Sequence, residues 1–414
     1  MIPASRRLSD IQVLRALAIL LVLLSHLSLS QTAMKATPNP AMLPFWLGVE
    51  LFFVISGYVV TRSVVTGSMR PFAFLTKREF RLLPAIVVFL IVSWLLNTTI
   101  YFSHDSGSWA RLHLVVPPLK FAMEALSILG GFFINLPWSD FGYQNGAMWS
   151  LTIEFQFYFG FAMLLLLLKM MRISTVGAGN VIASVMIAVY ALTTMTRLSG
   201  ISGGIVPTVG PLFEYLIRFK FDFIIIGSVG YFVSLRWPLS GRIPRWAGHA
   251  SAWLLFLPLS LVMVSESTLQ IKPPFLDGVT YPVMGLAFGL LVLIAAQNAA
   301  FPNDDGRLYH AMVWVGDRSF SLYLMHFPVM ALAWLLFSKL APWVFDSAMV
   351  FSIAQAAIVV PVALLLSDIC FRWVETPANE FGRSIAGRME GRGSALAAQS
   401  GNMVQNHIVP KASS

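Results

Sequence analysis

Runs of about twenty apolar residues recur from one end of the chain to the other, separated by short polar or turn-rich segments. This alternation predicts a stack of membrane-length helices. An α-helix rises about 1.5 Å per residue, so about 20 residues cross a hydrocarbon layer of about 30 Å. Ten such segments fall at about 11–30, 44–64, 84–103, 149–168, 178–196, 218–236, 246–265, 279–297, 314–337 and 349–371. Connectors such as 31-QTAMKATPNPAM, 197-RLSGISGGIVPTVG and 298-NAAFPNDDGR supply the proline and glycine that interrupt helices. The expected fold class is all-α, a polytopic integral membrane protein of about ten transmembrane helices.

Residues 117–136, PPLKFAMEALSILGGFFINL, break the pattern. Counted as a span they invert everything downstream, and they contain Lys120, Glu124 and a Gly-Gly pair. They are expected to be a re-entrant or interfacial element on the outer face, where backbone is tolerated if protein covers it. From residue 384 the apolar pattern lapses into Gly, Ser and Arg. Residues 384–414 are therefore expected to be a disordered cytoplasmic tail, and 9–383 a single transmembrane domain.

Charge then orients the stack. With the N-terminus inside, about 17 lysines and arginines near span ends face the cytoplasm, Arg70, Lys77, Arg78 and Arg81 among them, against about 8 outside. The bias predicts both termini in the cytoplasm. Arg6 and Arg7 before the first apolar run also suit a cleavable signal peptide, but Arg15 interrupts that run and removal of the span would spoil the topology.

Composition sharpens the class. Hydrophobic residues make up 57% of the 414 and charged residues 11%, with a mean hydropathy of +0.74; soluble domains carry about 25% charged residues. The net charge of +9 is scattered between spans and not gathered with aromatics into a patch, so nucleic acid is not an expected partner. The single cysteine, Cys370, leaves no disulfide framework and no thiol cluster, and no metal is expected.

Several polar residues stand where lipid-facing helices do not place them. In 15-RALAILLVLLSH-26, eleven residues at about 100° each total about 1100°, about 20° past three turns. Arg15 and His26 thus share a face, about 16 Å apart along the axis. Snorkelling to opposite interfaces is the structural alternative, but ionisable groups at membrane depth usually face a bundle interior. Glu50 opens 48-GVELFFVISGY-58, where Ser56 and Gly57 read as a packing notch. In 77-KREFRLLP-84, Lys77, Arg78 and Arg81 give a cationic face as topology anchors or as a phosphate clamp. Ser150, Glu154 and Tyr158 repeat every four residues in the fourth span. Ser319, Tyr323 and His326, spaced 4 and 3, share a face in 316-GDRSFSLYLMHFP-328. Glu375, in 374-VETP-377, reads as a structural partner for an arginine.

In this order and over residues 9–383, these motifs resemble the acyltransferase-3 family of integral-membrane acyltransferases, which modify bacterial surface polysaccharides, Nod factors and some antibiotics. The resemblance implies ten core helices in the bacterial cytoplasmic (inner) membrane, a cytoplasmic acyl-CoA donor, acetyl-CoA above all, and a carbohydrate or glycolipid hydroxyl as acceptor. It implies His26 as the catalytic residue, with Arg15, Arg78 and Arg81 required. Lys77 stands where many members have arginine, and Phe320 where tyrosine is common. The SGNH esterase-like domain fused to some members is not expected here.

The chemistry of the residues agrees. A thioester is already activated, so the missing element is a base for the acceptor's hydroxyl proton, and neutral histidine, with an ordinary pKa of about 6.5, suits that task. The expected arrangement has His26 as general base, Glu154 or Glu50 orienting it or the acceptor, and Arg15, Lys77, Arg78 and Arg81 holding coenzyme A. An acyl-histidine intermediate is a competing mechanism. A secondary transporter of a lipid-linked or anionic solute is the alternative class, since it uses intramembrane charge in the same way. A membrane scaffold is the third.

Overall fold

In the computed structural model, residues 8–34, 47–67, 69–102, 117–131, 148–201, 216–217, 219–237, 276–301 and 306–391 are described, with isolated positions between 253 and 260. The chain forms α1 (Ser9–Met34), α2 (Leu47–Val65), α3 (Pro71–Tyr101), α4 (Pro118–Gly131), α5 (Met148–Met170), α6 (Thr175–Ile201), α7 (Phe221–Arg236), α8 (Tyr281–Ala295), α9 (Arg307–Asp317), α10 (Ser319–Leu340) and α11 (Ala348–Cys370). A π-helical turn, Phe371–Glu375, then leads into a further helix, α12, over 376–391. No strand occurs among the described residues. The described fold is all-α, and among the described residues eight helical segments are long and apolar enough to cross a membrane. Of the expected span at 246–265, only residues 253, 254, 256 and 260 are described.

Four boundaries differ from the sequence expectation. α3 begins at Pro71 and runs through Pro84, so the basic motif forms its first turns and is not a loop before the span. Proline removes one backbone hydrogen bond, and the 31-residue helix absorbs that loss. The ninth span starts at Ser319, not 314, because Arg318 leaves helical geometry (φ −97°, ψ 1°). Its guanidinium donates to Asp368 (2.5 Å) and the Trp314 carbonyl (3.1 Å) and lies 4.1 Å from the Trp314 ring centre. The last span continues as one helical rod from Met349 to Gly391, about 65 Å at helical rise, so its end projects beyond the hydrocarbon. Residues 384–391, expected to open a disordered tail, are thus helical, anchored where Arg70 donates to the Met389 and Glu390 carbonyls and Lys77 pairs with Glu390. Residues 392–414 lie outside the described residues. α4 spans 14 residues, about 21 Å, too short to cross as a helix; it packs on α3, where the Trp94 indole donates to the Pro118 carbonyl.

Helix packing in lipid depends on close approach, because lipid is as apolar as leucine. One very close contact joins α2 to α7: a Cβ at Gly57 would stand 1.8 Å from the Ile224 carbonyl oxygen, and one at Gly227 would stand 2.0 Å from that of Val54. The notch read from the sequence at Ser56-Gly57 is this crossing. α1 is fixed at its start by buried Asp10, whose carboxylate accepts from the Ala300 (2.8 Å) and Phe301 (3.3 Å) amides and from Tyr309 Oη (2.7 Å).

A second polar group lies where α2, α6 and α7 meet Tyr281. Arg197 forms a two-pronged pair with Asp222 (2.8 and 3.1 Å), both side chains buried at 3% and 6% exposure. Beside it Lys220 pairs with buried Glu50, and both cations lie against the Tyr281 ring.

Candidate active site

α1, α2, α3, α5 and α10 enclose a cavity of about 300 Å³. Four guanidiniums line it: Arg15 from α1, Arg62 from α2, and Arg78 and Arg81 from successive turns of α3. Among the described residues, none of the four side chains forms an ion pair or hydrogen bond. Arg78 is buried with its guanidinium 5.7 Å from the Phe74 ring centre and 5.6 Å from that of Tyr158, which holds its plane by cation–π contact and leaves its donors unused. The lining carries one carboxylate, Glu154, so its formal charge is +4 − 1 = +3. A low-dielectric cavity with that surplus attracts an anion.

Glu154 is bonded within the wall. It accepts from Ser56 Oγ (2.5 Å) and from Tyr158 Oη, and acts electrostatically on Arg15 and Arg78. The i, i+4 spacing of Glu154 and Tyr158 on α5 makes that bond local. Ser150, one turn earlier, bonds Tyr323 Oη of α10 at 2.7 Å and ties the two helices across the cavity. Ser319 lines the same wall with a buried Oγ that has no partner among the described residues, as does Gln12 with its Oε1.

His26 lies beyond Tyr323. Its Nδ1 is 3.2 Å from Nε2 of His326, and Nδ1 of His326 is 3.2 Å from the Leu322 carbonyl. The His26 and His326 ring centres are 5.1 Å apart, and Phe327 packs on both, at 4.7 and 4.3 Å. Tyr323, with its ring 5.9 Å from that of His326, stands between the histidines and the cavity.

The structure therefore gathers Arg15, Arg78, Arg81, Ser150, Glu154, Tyr158, Ser319 and Tyr323 around one space and sets His26 and His326 next to it. Two expected residues fall elsewhere. Glu50 is the partner of Lys220 and does not orient His26; Lys77 pairs with Glu390 on α12, turned away from the cavity by its place on α3. Among the described residues the side chain bonded to His26 is His326, while Glu154 bonds Ser56 and Tyr158. Glu375 accepts from Ser321 Oγ (2.8 Å), with Arg81 and Arg15 in electrostatic reach. Arg62 was missed: an arginine in the last turn of an apolar helix looks like an interfacial anchor until the cavity is seen.

The described helices thus surround a cationic cavity suited to an anion, with a pair of histidines beside it behind Tyr323. The chain belongs to the acyltransferase-3 family, whose acyltransferase domain matches residues 8–372. This decides between the enzyme and the transporter or scaffold readings in favour of the enzyme. Similar proteins include the peptidoglycan O-acetyltransferase OatA of Listeria monocytogenes, 25% identical over 392 residues that cover 89% of this chain and 55% of the relative. A putative peptidoglycan O-acetyltransferase, YrhL, of Bacillus subtilis is 25% identical over 336 residues, 77% of this chain and 48% of the relative. A putative O-acetyltransferase of Staphylococcus aureus is 22% identical over 384 residues, 89% of this chain and 57% of the relative. The chain spans about half the length of these relatives. No solved structure matches.

Proposed function

We propose that the protein is an O-acyltransferase of the bacterial cytoplasmic membrane. It moves an acyl group, acetyl by preference, from cytoplasmic acyl-CoA to a hydroxyl of a carbohydrate or glycolipid. The observation that carries this reading is the four-arginine cavity, which keeps a surplus of positive charge over Glu154, next to the His26–His326 pair. Coenzyme A is a polyphosphate on a long thin arm, and guanidiniums with unused donors are suited to its phosphates through paired, charge-assisted hydrogen bonds. The similarity to O-acetyltransferases supports acetyl as the group and a glycan as the acceptor.

In this scheme Arg62, Arg78 and Arg81 hold the phosphates at the basic end, and Arg15 stands further in. Ser319 Oγ and Gln12 Oε1 offer hydrogen bonds to the arm. The thioester passes Tyr323 to reach His26, about 16 Å along α1 from Arg15. His26 takes the acceptor's hydroxyl proton as its oxygen bonds to the acyl carbon; the carbon–sulfur bond breaks, and the proton passes to sulfur to release CoA as a thiol. Glu154 holds Ser56 and Tyr158 in the wall and sets the charge around Arg15 and Arg78.

Acetyl-CoA binding to the purified full-length chain tests this. Thermal unfolding in detergent is expected to shift upward with acetyl-CoA concentration. Arg62→Gln is expected to weaken that binding about 10-fold, one charge-assisted contact at about 1.5 kcal/mol. A wild-type melting curve that acetyl-CoA leaves unmoved contradicts the donor assignment.

A further inference from the structure

We propose that His326 is a positioning residue that decides which nitrogen of His26 acts as the base. The proposal rests on the reading of His26 as that base. Nδ1 of His326 lies 3.2 Å from the Leu322 carbonyl oxygen one turn back on α10. A carbonyl only accepts, so this Nδ1 carries the hydrogen. A neutral imidazole has a single N–H, which leaves Nε2 of His326 with a bare lone pair. That lone pair faces Nδ1 of His26 at 3.2 Å. Two lone pairs in that position repel, so Nδ1 of His26 bears a hydrogen and donates it.

The consequence falls on the opposite nitrogen. Nε2 of His26 is held unprotonated, the state a general base needs before the acceptor arrives. His326 is fully buried, and among the described residues no carboxylate hydrogen-bonds either ring, so the device works with two neutral imidazoles. Phe327, packed on both, keeps the ring planes from turning. During transfer the hydroxyl proton moves to Nε2 of His26, the new oxygen–carbon bond forms, the carbon–sulfur bond breaks and the proton leaves with sulfur. The Nδ1 hydrogen of His26 stays on His26, donated to Nε2 of His326 throughout, so the base returns to the same tautomer after each turnover.

Two measurements test this. In ¹⁵N-histidine NMR of the full-length chain in detergent, with His26 assigned by its loss in His26→Ala, neutral His26 is expected to carry its proton on Nδ1. Turnover is then followed with radiolabelled acetyl-CoA and membrane vesicles that hold the cell's own acceptors. His326→Leu, which lacks an acceptor, is expected to lose about 100-fold in kcat with the KM for acetyl-CoA within about 2-fold. His326→Gln, whose Oε1 accepts in place of Nε2, is expected to recover to within about 10-fold of wild type. A His26 proton on Nε2 in the wild type overturns the proposal whether or not the variants fold, and so does wild-type kcat in His326→Leu. Transfer undiminished in His26→Ala, with the expected spectrum, overturns the base reading instead and leaves the tautomer assignment standing.

Discussion

His26→Ala is expected to lower kcat for acyl transfer by about 10²–10⁴-fold, the usual contribution of a positioned general acid–base. Binding of acetyl-CoA is expected to be unchanged, because the four cavity arginines lie on the other side of Tyr323 from the imidazole. Alanine leaves a small void and, among the described residues, removes only the 3.2 Å imidazole contact and the ring packing on Phe327 and His326 between α1 and α10. The split is therefore informative: turnover from radiolabelled acetyl-CoA falls while thermal stabilisation by the same donor persists. Loss of both at once would place His26 in the donor site or in the fold.

Asp222→Ala is expected to destabilise the protein by about 3–5 kcal/mol, the penalty for leaving a buried charge without its partner. Arg197 is 3% exposed and gives two of its donors to Asp222, with a third bond to the Ile217 carbonyl. Loss of the carboxylate leaves that guanidinium against the Tyr281 ring and next to a second cation, Lys220. Because Asp222 is on α7, the helix that meets α2 at Gly57 and Gly227, the damage should spread to the α2 wall of the cavity only on melting. Denaturation in detergent checks this: an earlier transition is expected, with wild-type KM for acetyl-CoA at temperatures where the variant is folded. An unchanged transition would mean that the pair contributes nothing to the fold.

These two variants mark how far the sequence could be read. The helical class and the positions of most spans follow from hydropathy alone, since twenty apolar residues have few alternatives. The side of α1 that matters was also legible, because the angle between Arg15 and His26 is simple arithmetic, and so was the Ser150–Glu154–Tyr158 stripe. What failed were pairings between helices. Arg197 and Lys220 count in the sequence only as outer-side topology charges, and nothing in their spacing shows that they are bound to Asp222 and Glu50. His326 was visible as a polar face of α10, but only the packing of α10 on α1 shows that it bonds His26. Arg62 carried no spacing signal; its place in the cavity depends on how α2 is rotated against α3 and α5. Boundaries failed where one residue overrides the local pattern: Pro84 lies inside a helix that surrounding turns sustain, and Arg318 breaks one in order to reach Asp368.

The central claim is that an acyl group enters from the basic end of the bundle and leaves as an ester. Inside-out membrane vesicles given radiolabelled acetyl-CoA measure it directly. Label is expected to accumulate in an envelope glycan or glycolipid as an ester released by mild base, dependent on His26 and on Arg78 with Arg81. Vesicles with folded protein that bind acetyl-CoA yet place no label in any base-labile ester would contradict it.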